Sequence, residues 1–432
     1  MHQKSKSKNK NMKTNTLLIN FLLLLIVIVS GCKDKTFKKH KVYSPIYTSY
    51  EDFRNHPAFE SPQPITKQGN IYIKDDYLFI TEPERGIHFI DNSSPESPQQ
   101  VGFLELIGCT GLEIRGNRLY TNSYIDLVVF DISSIHQPVE INRVKNAFPE
   151  ALPMTEMDYP ISSVDKDKGV VTAWKLETIK EEVEYNNAHW LNCPNCETMS
   201  IANTVNSNQG QSQGVSGSIT KFTLINDYLY VMDKVSLKPF DISIPDAPNL
   251  HDGVLVSREV ETLFAYNDHI FMGTTTGMLI FNTTSPNQPE HISSVNHFTA
   301  CDPVVVKDNY AYVTVRSGTG CGGAFNQLDI IDISDYNNPF IESSYSMTNP
   351  HGLGIDNNML FICDGSAGLK VFDATNPIEA GNNLIHTFND ITAVDVIPDN
   401  EVAIVIGENA IKQYDYSNPE ELILLSTIQI MQ

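Results

Sequence analysis

Seven times along the chain an apolar run ends in Asp, once in Asn, with Ser or Thr and usually Pro close behind. The runs are Ile87-His88-Phe89-Ile90-Asp91, Leu127-Val128-Val129-Phe130-Asp131, Leu237-Lys238-Pro239-Phe240-Asp241, Met278-Leu279-Ile280-Phe281-Asn282, Leu328-Asp329-Ile330-Ile331-Asp332, Leu369-Lys370-Val371-Phe372-Asp373 and Ile411-Lys412-Gln413-Tyr414-Asp415. Their final residues are 40, 110, 41, 50, 41 and 42 positions apart. Short apolar runs at a period near 41 predict the blades of a β-propeller. About 15 residues before each final residue, a polar pair divides two further apolar runs. The pairs are Asp75-Asp76, Gly116-Asn117, Asn226-Asp227, Asn267-Asp268, Asp308-Asn309, Asn357-Asn358 and Asp399-Asn400. Such residues tolerate the positive φ of a tight hairpin. Each unit therefore reads strand a, polar turn, strand b, loop, strand c, Pro-bearing turn, strand d. The seven repeated Asp or Asn side chains are expected to accept backbone N–H bonds in the turn from strand c to strand d, not to carry chemistry.

The gap of 110 residues between Asp131 and Asp241 exceeds one period by 69. Within it, Tyr159-Pro160-Ile161-Ser162-Ser163-Val164, a polar stretch at 165–169 and Val170-Val171-Thr172-Ala173-Trp174 read as a worn pair of strands a and b. Counting it favours eight blades over seven. The expected fold is all-β: a single-domain propeller of four-stranded blades over residues 66–432, with a flexible insertion near 186–218. The polar tract 203–218, rich in Asn, Gln, Ser and Gly, supports that insertion.

The first residues read as an address. Lys4, Lys6, Lys8, Lys10 and Lys13 precede an apolar core at 17–29 broken only by Asn20, too short to span a membrane and suited to a signal peptide. It ends Val29-Ser30-Gly31-Cys32, matching a bacterial lipobox. The expectation is a leader at 1–31, lipid on Cys32, a tether at 32–65, and an extracytoplasmic lipoprotein held in the membrane, most simply the bacterial outer membrane. The net charge is −22; without residues 1–31 the chain keeps 25 basic against 52 acidic residues, or −27. So acidic a surface argues against nucleic acid as a partner.

The repeats resemble the LVIVD-repeat proteins, exported β-propeller lipoproteins of Bacteroidetes-type bacteria. The resemblance runs through Tyr50-Glu51-Asp52-Phe53-Arg54, Gly86-Ile87-His88-Phe89-Ile90-Asp91, Thr299-Ala300-Cys301-Asp302-Pro303, Tyr312-Val313-Thr314-Val315-Arg316-Ser317-Gly318-Thr319, Thr348-Asn349-Pro350-His351-Gly352 and Phe361-Ile362-Cys363-Asp364-Gly365. It implies fold and location and carries over no active site.

Strand order puts the a–b and c–d turns on one face and the b–c and d–a loops on the other. The turns are short and uniform, whereas the irregular elements fall among the loops, where function concentrates on a rigid frame. The candidate ligand-facing surface is Cys109, Cys301, Asp302, Arg316, His351 and Asp364, centred on blades five and six. Setting Cys32 aside, six Cys remain in an oxidising compartment. Cys301 and Cys321 map to one face of one blade and are a candidate disulfide. Cys193 and Cys196 fit a local disulfide, a redox pair or half of a zinc site. Cys109 and Cys363 are most simply small buried residues. No P-loop, Gly-x-Ser-x-Gly or His-Glu-x-x-His is present, so no catalytic or metal residue is assigned. The leading function is a non-enzymatic binding or scaffold module with a protein or glycan partner on the loop face and no cofactor. The alternative is an extracytoplasmic hydrolase or lactonase holding a divalent metal.

Overall fold

The computed structural model describes residues 36–183, 215–216, 221–296, 303–317 and 325–431, less residues 56, 158, 257 and 408. Seven antiparallel sheets, each in the order a–b–c–d, form the blades of a propeller. Their innermost strands are Ile71–Lys74, Leu112–Arg115, Phe222–Ile225, Val260–Tyr266, Val304–Lys307, Leu353–Asp356 and Asp395–Asp399. The expectation of an eighth blade is overturned. Residues 170–183 do not pair with the residues just before them; Val170–Val183 instead forms a two-stranded sheet with Thr36–Thr48. A long N-terminal strand supplies the hydrogen-bond partners that a missing blade would have offered, so the Tyr159–Trp174 pattern records a strand without recording its partner. Part of this ribbon forms a small unit of its own (36–44, 159–162 and 175–183 of the described residues), while the propeller holds the remainder. In the small unit Tyr43 N–H donates to Pro160 O at 2.8 Å, and Ser44 Oγ donates to Glu177 at 3.0 Å.

Residues before the first blade are also built into the fold. The short helix Tyr50–Arg54 is capped by Ser49, whose hydroxyl accepts from Asp52 N–H at 3.0 Å. Phe53 is buried on it, and Arg54 reaches the fully buried Asp126 at the start of strand c of blade two, with Nε at 2.7 Å. Strand Ala58–Glu60 then adds to the outer edge of blade one. On the opposite, channel-side edge, Val215 and Ser216 pair with Ile73 and Tyr72.

The turn face is a repeated device. In blades one to seven the first residue of the a–b turn has positive φ: Asp75, Gly116, Asn226, Asn267, Asp308, Asn357 and Asn400, all between 48° and 55°. Only the last pair shifts, to Asn400-Glu401, one residue beyond the expected turn. The final residue of strand c accepts the N–H two residues on, at Ser93, Ser133, Ser243, Thr284, Ser334, Thr375 and Ser417, over 2.7–3.0 Å. The intervening N–H reaches back to the a–b turn of its own blade, as Asn92 to Asp76 O at 2.7 Å and Ala374 to Asn358 O at 2.7 Å. Both turns of every blade are thereby stitched together.

Strands a–d of each blade come from one continuous stretch, so no strand is exchanged where blade seven meets blade one. An isoleucine-rich cluster closes the seam, with Ile71, Ile73 and Ile80 against Ile397, Ile404 and Ile411. The side-chain amides of Asn92 and Gln413 exchange hydrogen bonds across it at 3.0 and 2.6 Å.

Candidate functional site on the loop face

Opposite the stitched turns, the blades lose their likeness. The residue six places after the start of strand b is Pro83, Tyr124, Lys234, Thr275, Arg316 and Gly365 in blades one to six. These six blades supply different chemistry from the same scaffold position, as a binding surface requires and a purely structural face does not.

A cleft of about 340 Å³ opens here over blades one to four, with Glu84, Tyr124, Lys67, Asn70, Phe222 and Glu261 among its walls. Phe148, Phe222, Val231, Met232 and Val260 are buried along it, and Lys67, Lys221 and Glu259 are among its exposed charged residues. Glu84 and Tyr124 occupy the b–c loops of blades one and two with φ of 66° and 36°, the left-handed region where non-glycine residues are strained. Backbone bonds hold them there: Gly108 N–H donates to Glu84 O at 3.1 Å and Tyr124 N–H donates to Gly108 O at 3.2 Å. Gly108, at φ 79°, has no room for a side chain, since a Cβ would meet the Tyr124 ring and backbone. The Glu84 carboxylate accepts Met154 N–H at 2.6 Å. Burial raises its pKa; the Met154 N–H, the Lys67 charge and the Tyr124 hydroxyl pull the other way. Tyr124 is itself pushed up, by burial first and then by the Glu84 charge. Clefts that join strained backbone to perturbed acids are candidate functional sites.

Glu261 lines the cleft and its charge acts on Arg316, which lies outside the cleft's lining; burial lowers that half-buried guanidinium and Glu261 opposes. Arg316 in turn acts on His351. Burial lowers that imidazole to about 4, with the Arg316 charge in the same direction and Asp364 opposing. His351 is placed by Thr314 Oγ1, which donates to its carbonyl at 2.6 Å, and Asn349 Nδ2 lies 3.1 Å from Nε2. Gly352 beside it follows from packing, because a Cβ would strike the buried Asp395 of blade seven.

The Arg316 and Asp364 charges both act on His351, and Asp364 is fully buried. It holds Lys370 Nζ at 2.6 Å and the N–H groups of Thr348 and Asn349 at 3.0 and 2.7 Å, so it positions the loop before His351 and offers no surface. Cys109 also departs from the expected ligand-facing set. It is fully buried between blades one and two, 3.2 Å from Thr121 Oγ1, and burial pushes its thiol up to about 12. Cys363 is buried and raised likewise. Cys32, Cys193, Cys196, Cys301, Asp302 and Cys321 lie outside the described residues. Among the described residues no group of three or more His, Cys, Asp or Glu is placed to hold a metal ion. Sequence reasoning missed Glu84, Tyr124, Lys67 and Glu261. Their only signal was that Gly108 and the loops near it are irregular, since left-handed backbone at Glu and Tyr leaves no trace in residue type.

The fold and this face define a seven-bladed β-propeller with a loop-face cleft. Residues 299–347 match the LVIVD repeat, so the chain carries an LVIVD repeat within a β-propeller. No curated protein matches it. Among solved structures, a protein from Lactobacillus plantarum is 11% identical with a TM-score of 0.54, covering 84% of this chain and 97% of its own. This likeness supports the propeller fold alone. The computationally designed Ika8 protein is 12% identical with a TM-score of 0.49, covering 87% of this chain and 92% of its own. Hsv2 from Kluyvelomyces marxianus is 9% identical with a TM-score of 0.45, covering 86% of this chain and all of its own, 100%.

Proposed function

We propose that this chain is an extracytoplasmic lipoprotein, anchored through Cys32 in the cell envelope and most simply the bacterial outer membrane. Its propeller acts as a non-enzymatic binding module that takes a protein or glycan partner at the loop-face cleft. One observation carries the reading of the face. Seven blades repeat a single hydrogen-bond pattern on the turn side, while the equivalent loop positions differ blade by blade around a cleft of about 340 Å³. Anchoring rests on the basic leader, its short apolar core and Val29-Ser30-Gly31-Cys32.

Binding is tested on an array of purified bacterial glycans and peptides. Lys67→Glu and Lys221→Glu on the cleft rim should lower the signal of any bound probe. Asp76→Lys and Asp268→Lys on the turn face should leave it intact at equal thermal stability; the opposite pattern refutes the chosen face. For anchoring, Cys32→Ala should abolish palmitate labelling and membrane fractionation. Elemental analysis separates the enzymatic alternative, because one tightly held divalent ion per purified chain would favour a metal-dependent hydrolase.

A further inference from the structure

On strand c, three residues before its final Asp, four blades carry a basic side chain. These are His88, Lys238, Lys370 and Lys412, in blades one, three, six and seven. Five places after the start of strand b, the same blades carry Glu82, Asp233, Asp364 and Gly407. A carboxylate thus accompanies the base in three of them, with Glu82 at 2.8 Å from His88 and Asp364 at 2.6 Å from Lys370. Blade seven keeps the lysine and replaces the carboxylate by glycine. Gly407 does not have positive φ, so its backbone gives no reason for the exchange. A Cβ there would lie 3.0 Å from Thr392 O and 3.3 Å from Ala410 O, a space that a slight shift would open.

Where the side chain is missing, a pocket of about 260 Å³ opens on the loop face, lined by Gly407, Lys412, Ile391 and Thr392 among others. It shares no lining residue with the cleft over blades one to four. Blade six shows what chemistry this space holds. There the Asp364 carboxylate accepts from Lys370 Nζ at 2.6 Å and from the N–H groups of Thr348 and Asn349 at 3.0 and 2.7 Å. Counted back from the a–b turn, the counterparts of Thr348 and Asn349 are Ile391 and Thr392. Ile391 N–H turns to Phe388 O at 3.3 Å. Lys412 Nζ and Thr392 N–H have no acceptor among the described residues. An ammonium and a backbone N–H lining one pocket suit a carboxylate. The other walls select the rest of the ligand. Ile391, Val405 and Ala410 are aliphatic, while the exposed Asp390 would repel a second negative charge.

We propose that this pocket binds a short aliphatic monocarboxylate, whose oxygens take the place in blade seven that the Asp364 side chain holds in blade six. Lys412 anchors the charge, Thr392 N–H fixes its orientation, and Ile391 and Val405 cover the tail. The site is separate from the cleft, so either can fail without the other.

The test uses the chain labelled with ¹³C at the isoleucine δ1 methyls, in which Ile391→Val assigns the Ile391 signal by its loss. Butyrate should move that signal saturably, with Kd in the millimolar range. Butyramide, of the same size but uncharged, should not move it, and inorganic phosphate should act more weakly than butyrate. Lys412→Met should weaken butyrate binding at least about tenfold, since it removes a charge-assisted hydrogen bond. Gly407→Asp should abolish the response in a chain that still melts cooperatively, because it restores the pair seen in blade six. Butyrate stands for a free acid and N-acetylvaline for the end of a peptide, and the tighter binder names the source. A signal unmoved by either carboxylate, an equal response to butyramide, or full binding by Lys412→Met overturns the assignment. So does binding that appears only in Glu408→Gln, since the chain's own carboxylate would then take the place.

Discussion

At the end of strand c, one side-chain oxygen decides whether the turn to strand d closes. Asp is replaced by Asn in blade four, and Asn282 still accepts Thr284 N–H at 2.8 Å. A neutral amide oxygen is thus enough to close the turn. Asp373→Asn should therefore change stability little, whereas Asp373→Ala should lower it by about 1 kcal/mol, the usual net worth of one such bond, read from urea denaturation. His351 gives a second prediction at this scale. Its folded pKa, about 4, lies below that of the unfolded chain, near 6.5. Between those values the unfolded state binds more protons, so stability falls as pH drops from about 6.5 toward 4. His351→Gln should flatten the stability curve in that window and leave it unchanged above pH 7. Equal slopes in both proteins would show that the imidazole is not buried as described.

Among the elements, the helix Tyr50–Arg54 reads from sequence as part of a tether, yet it is a latch. The fully buried Asp126 is met by Arg54 Nε at 2.7 Å, by Asn146 N–H at 2.8 Å and by Arg143 at 3.5 Å. Removing one partner of a buried ion pair strands the other, so Arg54→Ala should destabilise the propeller by about 3 kcal/mol. The same change should speed proteolytic cleavage between the helix and blade one. Cleavage and stability like those of the wild type would mean that Arg143 and Asn146 suffice. Blade one holds a comparable buried group in Glu82. Burial alone would raise it, but hydrogen bonds from His88, Thr66 and Arg85 outweigh this and hold it down to about 2. Its contribution is complete above the ordinary range near 4.5 and is lost as pH falls from there toward 2. Glu82→Gln should remove that acid-side slope, as followed by circular dichroism.

For the molecule as a whole, the seam between blades seven and one is closed by packing and an amide pair, with no shared strand. It should therefore be the place where the ring opens. Ile411→Ala, in the seam, and Ile280→Ala, in the core between blades four and five, should each cost about 3 kcal/mol. Only Ile411→Ala should speed amide exchange selectively in strands a of blades one and seven. Uniform acceleration in both variants would show that the ring opens without preference.

Strand number per blade, turn positions and the role of the repeated Asp were legible in the sequence because each depends on local chemistry: alternating apolar runs, residues that accept positive φ, and an oxygen two residues from its donor. The number of blades was not. Tyr159–Trp174 has the pattern of a strand, but whether Val170–Val183 joins a new blade or the distant Thr36–Thr48 depends on which partner reaches it, and pairing across more than 120 residues leaves no mark in either segment. The site divides in the same way. Arg316 and His351 stood out as polar residues in irregular loops. The cleft that Glu84, Tyr124 and Glu261 line and the burial of Cys109 and Asp364 exist only once seven blades are bent into a ring. Exposure and electrostatic proximity between distant loops are properties of that closure, not of any residue's neighbours along the chain.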